Sequence, residues 1–220
     1  MRHKAYKVTP LLALLAFAVP ASGQESVVEG VVRVERAKVL TTGAKSDKEV
    51  VVSLEPLETK PIPPPQKRVE MDQRGMVFLP HVMTVQVGRT VAFLNSDNDR
   101  HNVYFLFEKT GDTLDIGTWG PGQTVTHVFK EPGVVVTLCQ LHLEMAAYIL
   151  VFDHPFHTVA EIRADTQTAT FKIPNVPPGR YQVNAWHKRL KLKGQPVPLV
   201  VQGDRVAVPD LVITKKQYAK

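Results

Sequence analysis

With 220 residues and 44% hydrophobic content, the chain is long enough for one large core or two small ones and too apolar to be disordered throughout. One cysteine excludes a disulfide framework, and beyond the N-terminus no apolar stretch is long enough to span a bilayer as a helix. The formal charge of +6 is uneven: seven basic against ten acidic residues in 61–156, eleven against four in 157–220, and six against seven in 24–60.

The N-terminus reads as a removable export signal. Arg2, Lys4 and Lys7 precede an apolar core, Leu11 to Val19, and the small residues Ala21-Ser22-Gly23 make a cleavage site. The apolar run is too short for a membrane anchor, and no cysteine follows it to carry a lipid. The expected mature chain begins near Gln24. A periplasmic location follows for a Gram-negative source, and an exported protein is not expected to bind nucleic acid.

Valine-rich alternating runs punctuated by Pro and Gly predict an all-β chain. Val27 to Val34 and Val50 to Pro56 read as two strands. Pro61 and the Pro63–Pro65 run mark a joint. After the Pro132-Gly133 turn, Val134 to Leu138 form a β-branched strand, and Ala147 to Phe152 form another. Further strands are expected at Thr170 to Ile173, Tyr181 to Trp186, Val197 to Val201 and Leu211 to Thr214.

Between the strands ending at Leu138 and beginning at Ala147 lies the pattern Cys139-x-x-His142-x-x-Met145. A thiolate, an imidazole and a thioether suit copper, whose blue sites use two histidines and a cysteine in a near-trigonal plane with a weak axial methionine. The fourth ligand should be a second histidine, and His101 is the candidate, set between the polar cluster Asn95 to Arg100 and the apolar run Val103 to Phe107. The alternatives are a small buried hydrophobe at Cys139, a structural zinc site, which usually wants more cysteines or histidines at paired spacing, and a cysteine–histidine nucleophile pair. Among the other histidines, His81, His127, His154, His157 and His187 read as surface residues. His81 stands apart because Met83 shares its strand face.

The segment Phe78 to Phe152 resembles a cupredoxin of the plastocyanin and amicyanin type. Its pattern F-x-P-x-x-x-x-V-x-x-G-x-x-V-x-F-x-N is met by Phe78, Pro80, Val85, Gly88, Val91, Phe93 and Asn95, followed by His-Asn-Val at 101–103. The resemblance implies a Greek-key β-sandwich over 66–155 holding one copper ion, Cu(II)/Cu(I), on His101, Cys139, His142 and Met145. It also implies a supporting role for Asn102 beside a ligand. Leu143 stands where many relatives have proline, which should loosen the loop without removing a ligand. MDQRGMVFLPHV, HNVYF and HLEMAAYILV further resemble cupredoxin-containing proteins labelled methylamine utilisation proteins, a label that says nothing of methylamine chemistry here.

The stretch FKIPNVPPGRYQVNAWH (171–187) resembles carboxypeptidase-regulatory or transthyretin-like sandwich domains, which begin with G-x-V and V-x-L-x-P strands. Both occur before residue 60. The expectation is therefore a second small β-sandwich built from 24–60 and 156–220, with the cupredoxin inserted between its halves. The alternative is three consecutive pieces, 24–60 adding strands to the cupredoxin.

The function expected is a periplasmic electron carrier serving redox partner proteins, without catalysis, because four ligands leave no open position for substrate. His142 is expected nearest the surface, rimmed by Leu141, Leu143 and Pro80. A copper carrier or a non-catalytic β-sandwich binding protein is the alternative, and oligomeric state is left open. The basic run Lys188, Arg189, Lys191 and Lys193 reads as a solvated face, with an acidic partner or anionic lipid as the alternative.

Overall fold

The structure, a computed structural model, describes residues 24–35, 37–39, 47–58, 61–194 and 196–215. The expected export signal over 1–23 lies outside the described residues. Those described form eighteen strands and no helix: β1 (Ser26–Glu35), β2 (Glu49–Pro56), β3 (Val69–Gln73), β4 (Phe78–Leu79), β5 (Val82–Gln86), β6 (Thr90–Asn95), β7 (His101–Phe107), β8 (Thr113–Trp119) and β9 (Thr124–Val128). The chain continues through β10 (Gly133–Leu138), β11 (Ala146–Phe152), β12 (His157–Glu161), β13 (Thr168–Val176), β14 (Gly179–Trp186), β15 (Leu190–Leu192), β16 (Val197–Val201), β17 (Arg205–Ala207) and β18 (Leu211–Lys215).

The middle of the chain is a two-sheet sandwich. One sheet runs β5-β11-β10-β7-β8 and the other β4-β3-β6-β9. Alternation of side chains along each strand sends one set inward. Met71, Phe78, Val91 and Phe93 from the smaller sheet thus meet Met83, Val85, Val103, Phe105, Val135, Ala147, Ile149 and Val151 from the larger in one buried core. Phe93 and Phe105 join the sheets directly, their rings tilted with centroids 5.6 Å apart, a geometry aromatic pairs favour.

The remaining strands form one sheet in the order β12-β2-β14-β15-β18-β1-β13, with β16 beside β14 and β17 beside β1. Strands from before and after the sandwich thus interleave: β1 pairs with β13, β17 and β18, and β2 with β12 and β14. In β13 alternation is clean, with Ala169, Phe171 and Ile173 buried and Thr170 exposed between them among polar neighbours, the mark of a sheet with one solvated face. At Gly30 an added Cβ would meet the Phe171 ring at 2.8 Å, so only a hydrogen fits there.

β2 behaves differently. Val50 to Leu54 are all buried, Val50, Val52 and Leu54 in the core of this sheet and Val51 on the other face. That second face packs on the sandwich, where Val51, Val82 and Leu150 are buried together with partly buried Val134, Tyr148, Phe152, Val159 and Trp186. An unbroken apolar run is what a strand covered on both faces requires.

Seven strands went unforeseen in the sequence: β3, β4, β8, β9, β12, β15 and β17. β8 shows why, because its first six residues are exposed or half-exposed and only Leu114 and Ile116 among them are apolar. Among the described residues no helix is long and apolar enough to cross a membrane.

Candidate metal centre

The ligand loop is a hairpin connection. β10 and β11 pair from Gly133↔Val151 to Leu138↔Ala146, so Cys139 to Met145 is all that remains between them. Two backbone bonds fold it tightly: Cys139 N–H donates to the Met145 carbonyl at 3.3 Å, and Met145 N–H to the His142 carbonyl at 2.9 Å. Cys139 and Met145 are buried in the sandwich core, while His142 is half-buried.

His101 arrives as the first residue of β7, opposite Trp119 of β8, and is completely buried. Its Nδ1 lies 3.0 Å from His142 Nδ1 and 4.0 Å from Cys139 Sγ, and the Sγ lies 3.7 Å from His142 Nδ1. A triangle with those sides has its centre about 2.1 Å from each corner, within the metal–nitrogen and metal–sulfur lengths of about 2.0–2.3 Å found at zinc. Among the described residues this is the one group of three or more such side chains placed to hold a metal ion. Two imidazole nitrogens 3.0 Å apart can share one proton at most, so a cation between them and the sulfur relieves a crowd of lone pairs.

The surroundings prepare those lone pairs. His101 Nε2 is 2.8 Å from Asp97 Oδ2. The carboxylate accepts the Nε2 proton and leaves Nδ1 bare toward the site, as partners of metal-bound histidines commonly do. Burial pushes the Asp97 carboxyl up, but the N–H groups of Gly75 and Met76 and the His101 ring outweigh it and hold it below its ordinary value. Those two N–H groups donate at 2.6 and 3.1 Å. Asn95 fixes the turn by accepting the Asp97 N–H at 3.0 Å and donating to the carbonyls of Asp99 and Trp119.

Asn102 ties the two ligand-bearing segments together. Its backbone N–H points at Cys139 Sγ, 3.4 Å away. Its side-chain oxygen accepts the Gln140 N–H at 3.3 Å, while its amide donates to Asp115 and to the Gly117 carbonyl. A hydrogen bond to a thiolate sulfur withdraws electron density and so tunes what the sulfur gives a metal.

The structure thus brings together the donor atoms of His101, Cys139 and His142, and it buries Met145 in the same core as Cys139. The surface beside His142 is apolar: Leu143 is 90% exposed and Leu141 53%. Pro80 is also exposed.

The other histidines lie elsewhere. His187 bonds the Asp47 carbonyl and receives the N–H groups of Arg189 and Leu190. His127 packs on Phe105 and Phe129, His154 accepts the Phe156 N–H, and His157 stacks on Phe152. His154 and His187 are buried rather than on the surface. His81 contacts Lys188 instead of the cluster, its Nε2 3.0 Å from Nζ. In the basic run Arg189, Lys191 and Lys193 are exposed, as a solvated face expects, while Arg189 also pairs with Asp47 and Lys193 with Glu35, each at 2.8 Å. Sequence reasoning missed Asp97, whose one signal is an acidic residue four positions before the histidine.

Residues 65–152 match the family model described as copper binding proteins of the plastocyanin/azurin family. No curated protein matches the chain. Among solved structures, a copper-containing nitrite reductase from Thermus scotoductus SA-01 is similar at 24% identity over 44% of this chain, with a TM-score of 0.37. The chain spans only 25% of that enzyme's length. An amicyanin variant in its Cu(I) form aligns at 22% identity over 48% of this chain and all of its own, with a TM-score of 0.37. A purple cupredoxin from Nitrosopumilus maritimus aligns at 21% over 38% of this chain and 99% of its own, with a TM-score of 0.35. The chain is therefore all-β, a cupredoxin sandwich at 65–152 beside a further β domain, with residues placed to take one copper ion.

Proposed function

We propose that the protein carries single electrons through a copper site made by His101, Cys139, His142 and Met145, without catalysing a reaction on a substrate. The observation that carries this reading is the triangle of two imidazole nitrogens and one sulfur, two of its three residues buried, with Asp97 orienting one ring and the Asn102 N–H aimed at the sulfur. Copper bound there supplies a one-electron couple between Cu(II) and Cu(I).

Each residue has a part. Cys139 would offer the strong anionic donor, His101 would hold the ion from the interior, and Met145, buried in the same core, would offer a weak thioether donor that tunes the potential. Strand ends and hydrogen bonds hold the set in place, so little moves when charge changes. His142 is the half-buried ligand, and with Leu141 and Leu143 around it an apolar contact surface surrounds the shortest way out. We place the protein in the periplasm on the strength of residues 1–23 and infer redox proteins there as its partners. We assign 66–155 to the cupredoxin and 24–60 with 156–220 to one discontinuous domain of the carboxypeptidase-regulatory type, a division the interleaved strand pairing supports.

The test is voltammetry of the copper-loaded mature protein, with metal analysis of both redox states. A reversible one-electron wave with one copper retained per chain supports the carrier of electrons. Loss of the metal to a Cu(I) chelator on reduction would favour a carrier of copper instead.

A further inference from the structure

Asn102, buried beside Cys139, carries a side-chain amide whose two ends are chemically opposite. Its oxygen accepts the Gln140 N–H at 3.3 Å. Its nitrogen donates to Asp115 Oδ1 at 2.8 Å and to the Gly117 carbonyl at 3.0 Å, and lies 3.5 Å from Thr118 Oγ1. Turned round, the oxygen would face a carboxylate and a carbonyl, neither of which donates, and the NH2 group would face a backbone N–H. Of the contacts that forbid this, the one to Asp115 is charge-assisted and so the strongest.

The local backbone is arranged around that contact. β7 and β8 fall out of step here: Val103 lies opposite Gly117 and Tyr104 opposite Asp115, which leaves Ile116 as one extra residue on β8. Asp115 fastens this bulge itself, because the same Oδ1 accepts the Gly117 N–H, two positions on, at 2.8 Å. Gly117 sits at φ +111°, a conformation open to glycine and costly for other residues. Bulges re-aim side chains beside functional sites. This one brings the exposed Asp115 and the Gly117 carbonyl to a single buried amide nitrogen.

We propose that Asp115 is a positioning residue for the copper ligand loop, holding Asn102 in the orientation that clasps the Gln140 N–H and with it the Cys139 end of the loop. This rests on the copper reading above. Asp115 accepts from the Asn102 amide, the Asn102 oxygen accepts from Gln140, and Gln140 is the chain neighbour of Cys139. The backbone N–H of the same Asn102 points at Cys139 Sγ. The residue that Asp115 orients therefore touches both the sulfur and the backbone that carries it. Asp97 does the equivalent for His101, each carboxylate fixing which end of a polar side chain faces the site.

The experiment compares the full mature protein with Asp115→Ala and Asp115→Asn. The metal-free proteins are read by NMR for the Asn102 side-chain amide shift and for hydrogen exchange at the Gln140 amide, with β1 amides as the control. Reduction potential and copper hyperfine splitting are read after loading. Asp115→Ala should move the Asn102 amide resonance and speed Gln140 exchange by roughly tenfold, the factor expected for one lost hydrogen bond, with β1 unchanged. It should also shift the hyperfine splitting while still binding one copper. Asp115→Asn keeps an acceptor oxygen for both N–H partners, so its Gln140 exchange and hyperfine splitting should stay close to the unmutated protein. Both variants should raise the potential, because each removes a negative charge that favours the more highly charged Cu(II). Unchanged Gln140 exchange and hyperfine splitting in Asp115→Ala would overturn the inference. Equal changes in the two variants would also overturn it, making charge rather than orientation the cause, as would faster exchange spread equally over β1. If the unmutated protein is blue and Asp115→Ala does not respond, only this inference falls. If the unmutated protein takes no copper, the copper reading falls and this inference with it.

Discussion

Replacing His157 by leucine should flatten the acid limb of the stability profile. Burial above all, and then His154 and Arg89, push the His157 pKa down from 6.5 to about 4. Both ring nitrogens are buried without a hydrogen-bond partner, and the ring stacks on Phe152 with centroids 4.8 Å apart. As pH falls, the unfolded chain therefore takes up the proton before the folded one does. Stability present above pH 6.5 is lost as pH falls toward 4: about 2 kcal/mol by pH 5 and about 3 kcal/mol at pH 4 from this one group. His81, His127, His154 and His187 are also pushed down, burial being the largest cause in each, and add to the slope in both proteins. The assay is urea unfolding of the metal-free protein and of His157→Leu between pH 7.5 and 4. The variant should match or exceed the parent at pH 7.5, since no polar atom is left unpartnered, and should lose about 3 kcal/mol less by pH 4. Parallel pH profiles for the two proteins would refute the reasoning.

Asp97→Asn removes the charged acceptor of the His101 Nε2 proton, and copper affinity, measured by competition with a chelator, should fall by roughly tenfold to a hundredfold. Leu143→Asp alters a 90% exposed side chain, so the urea midpoint should barely move, within about 0.5 kcal/mol. Electron self-exchange, followed by line broadening, should slow markedly because two like-charged faces would then have to meet at the apolar rim. Gly30→Ala places a methyl group 2.8 Å from the Phe171 ring and should cost about 1–3 kcal/mol as overpacking. Denaturant unfolding checks it without involving the copper site.

The ligand loop was legible because its chemistry is local in sequence. Cys139, His142 and Met145 fall within seven residues, and β-branched runs on both sides announce the strands that pinch them together. His101 was legible as a histidine at a strand edge, although its distance from the loop residues could come only from the pairing of β7 with β10. Asp97 was not, because it stands among four polar residues, Ser96 to Asp99, and only the turn built by Asn95 decides which one faces the ring. The VVVSL run of β2 read as a strand, but its burial on two faces depends on a sandwich contributed by the middle of the chain. The Lys188 contact with His81 spans 107 positions, beyond the reach of any local pattern. The expectation of a solvated face holds for the exposed Arg189, Lys191 and Lys193, but the pairing of Arg189 with Asp47 and of Lys193 with Glu35, far away in sequence, was not legible.

The central claim is that His101, Cys139, His142 and Met145 form a thiolate-bearing copper site. Visible and electron-spin-resonance spectra of the mature protein titrated with Cu(II), alongside Cys139→Ala, test it most directly. The account predicts an intense thiolate-to-copper band and a narrow hyperfine splitting that saturate at one copper per chain and vanish in the variant. A colourless protein, or one that binds copper equally well without Cys139, would contradict it.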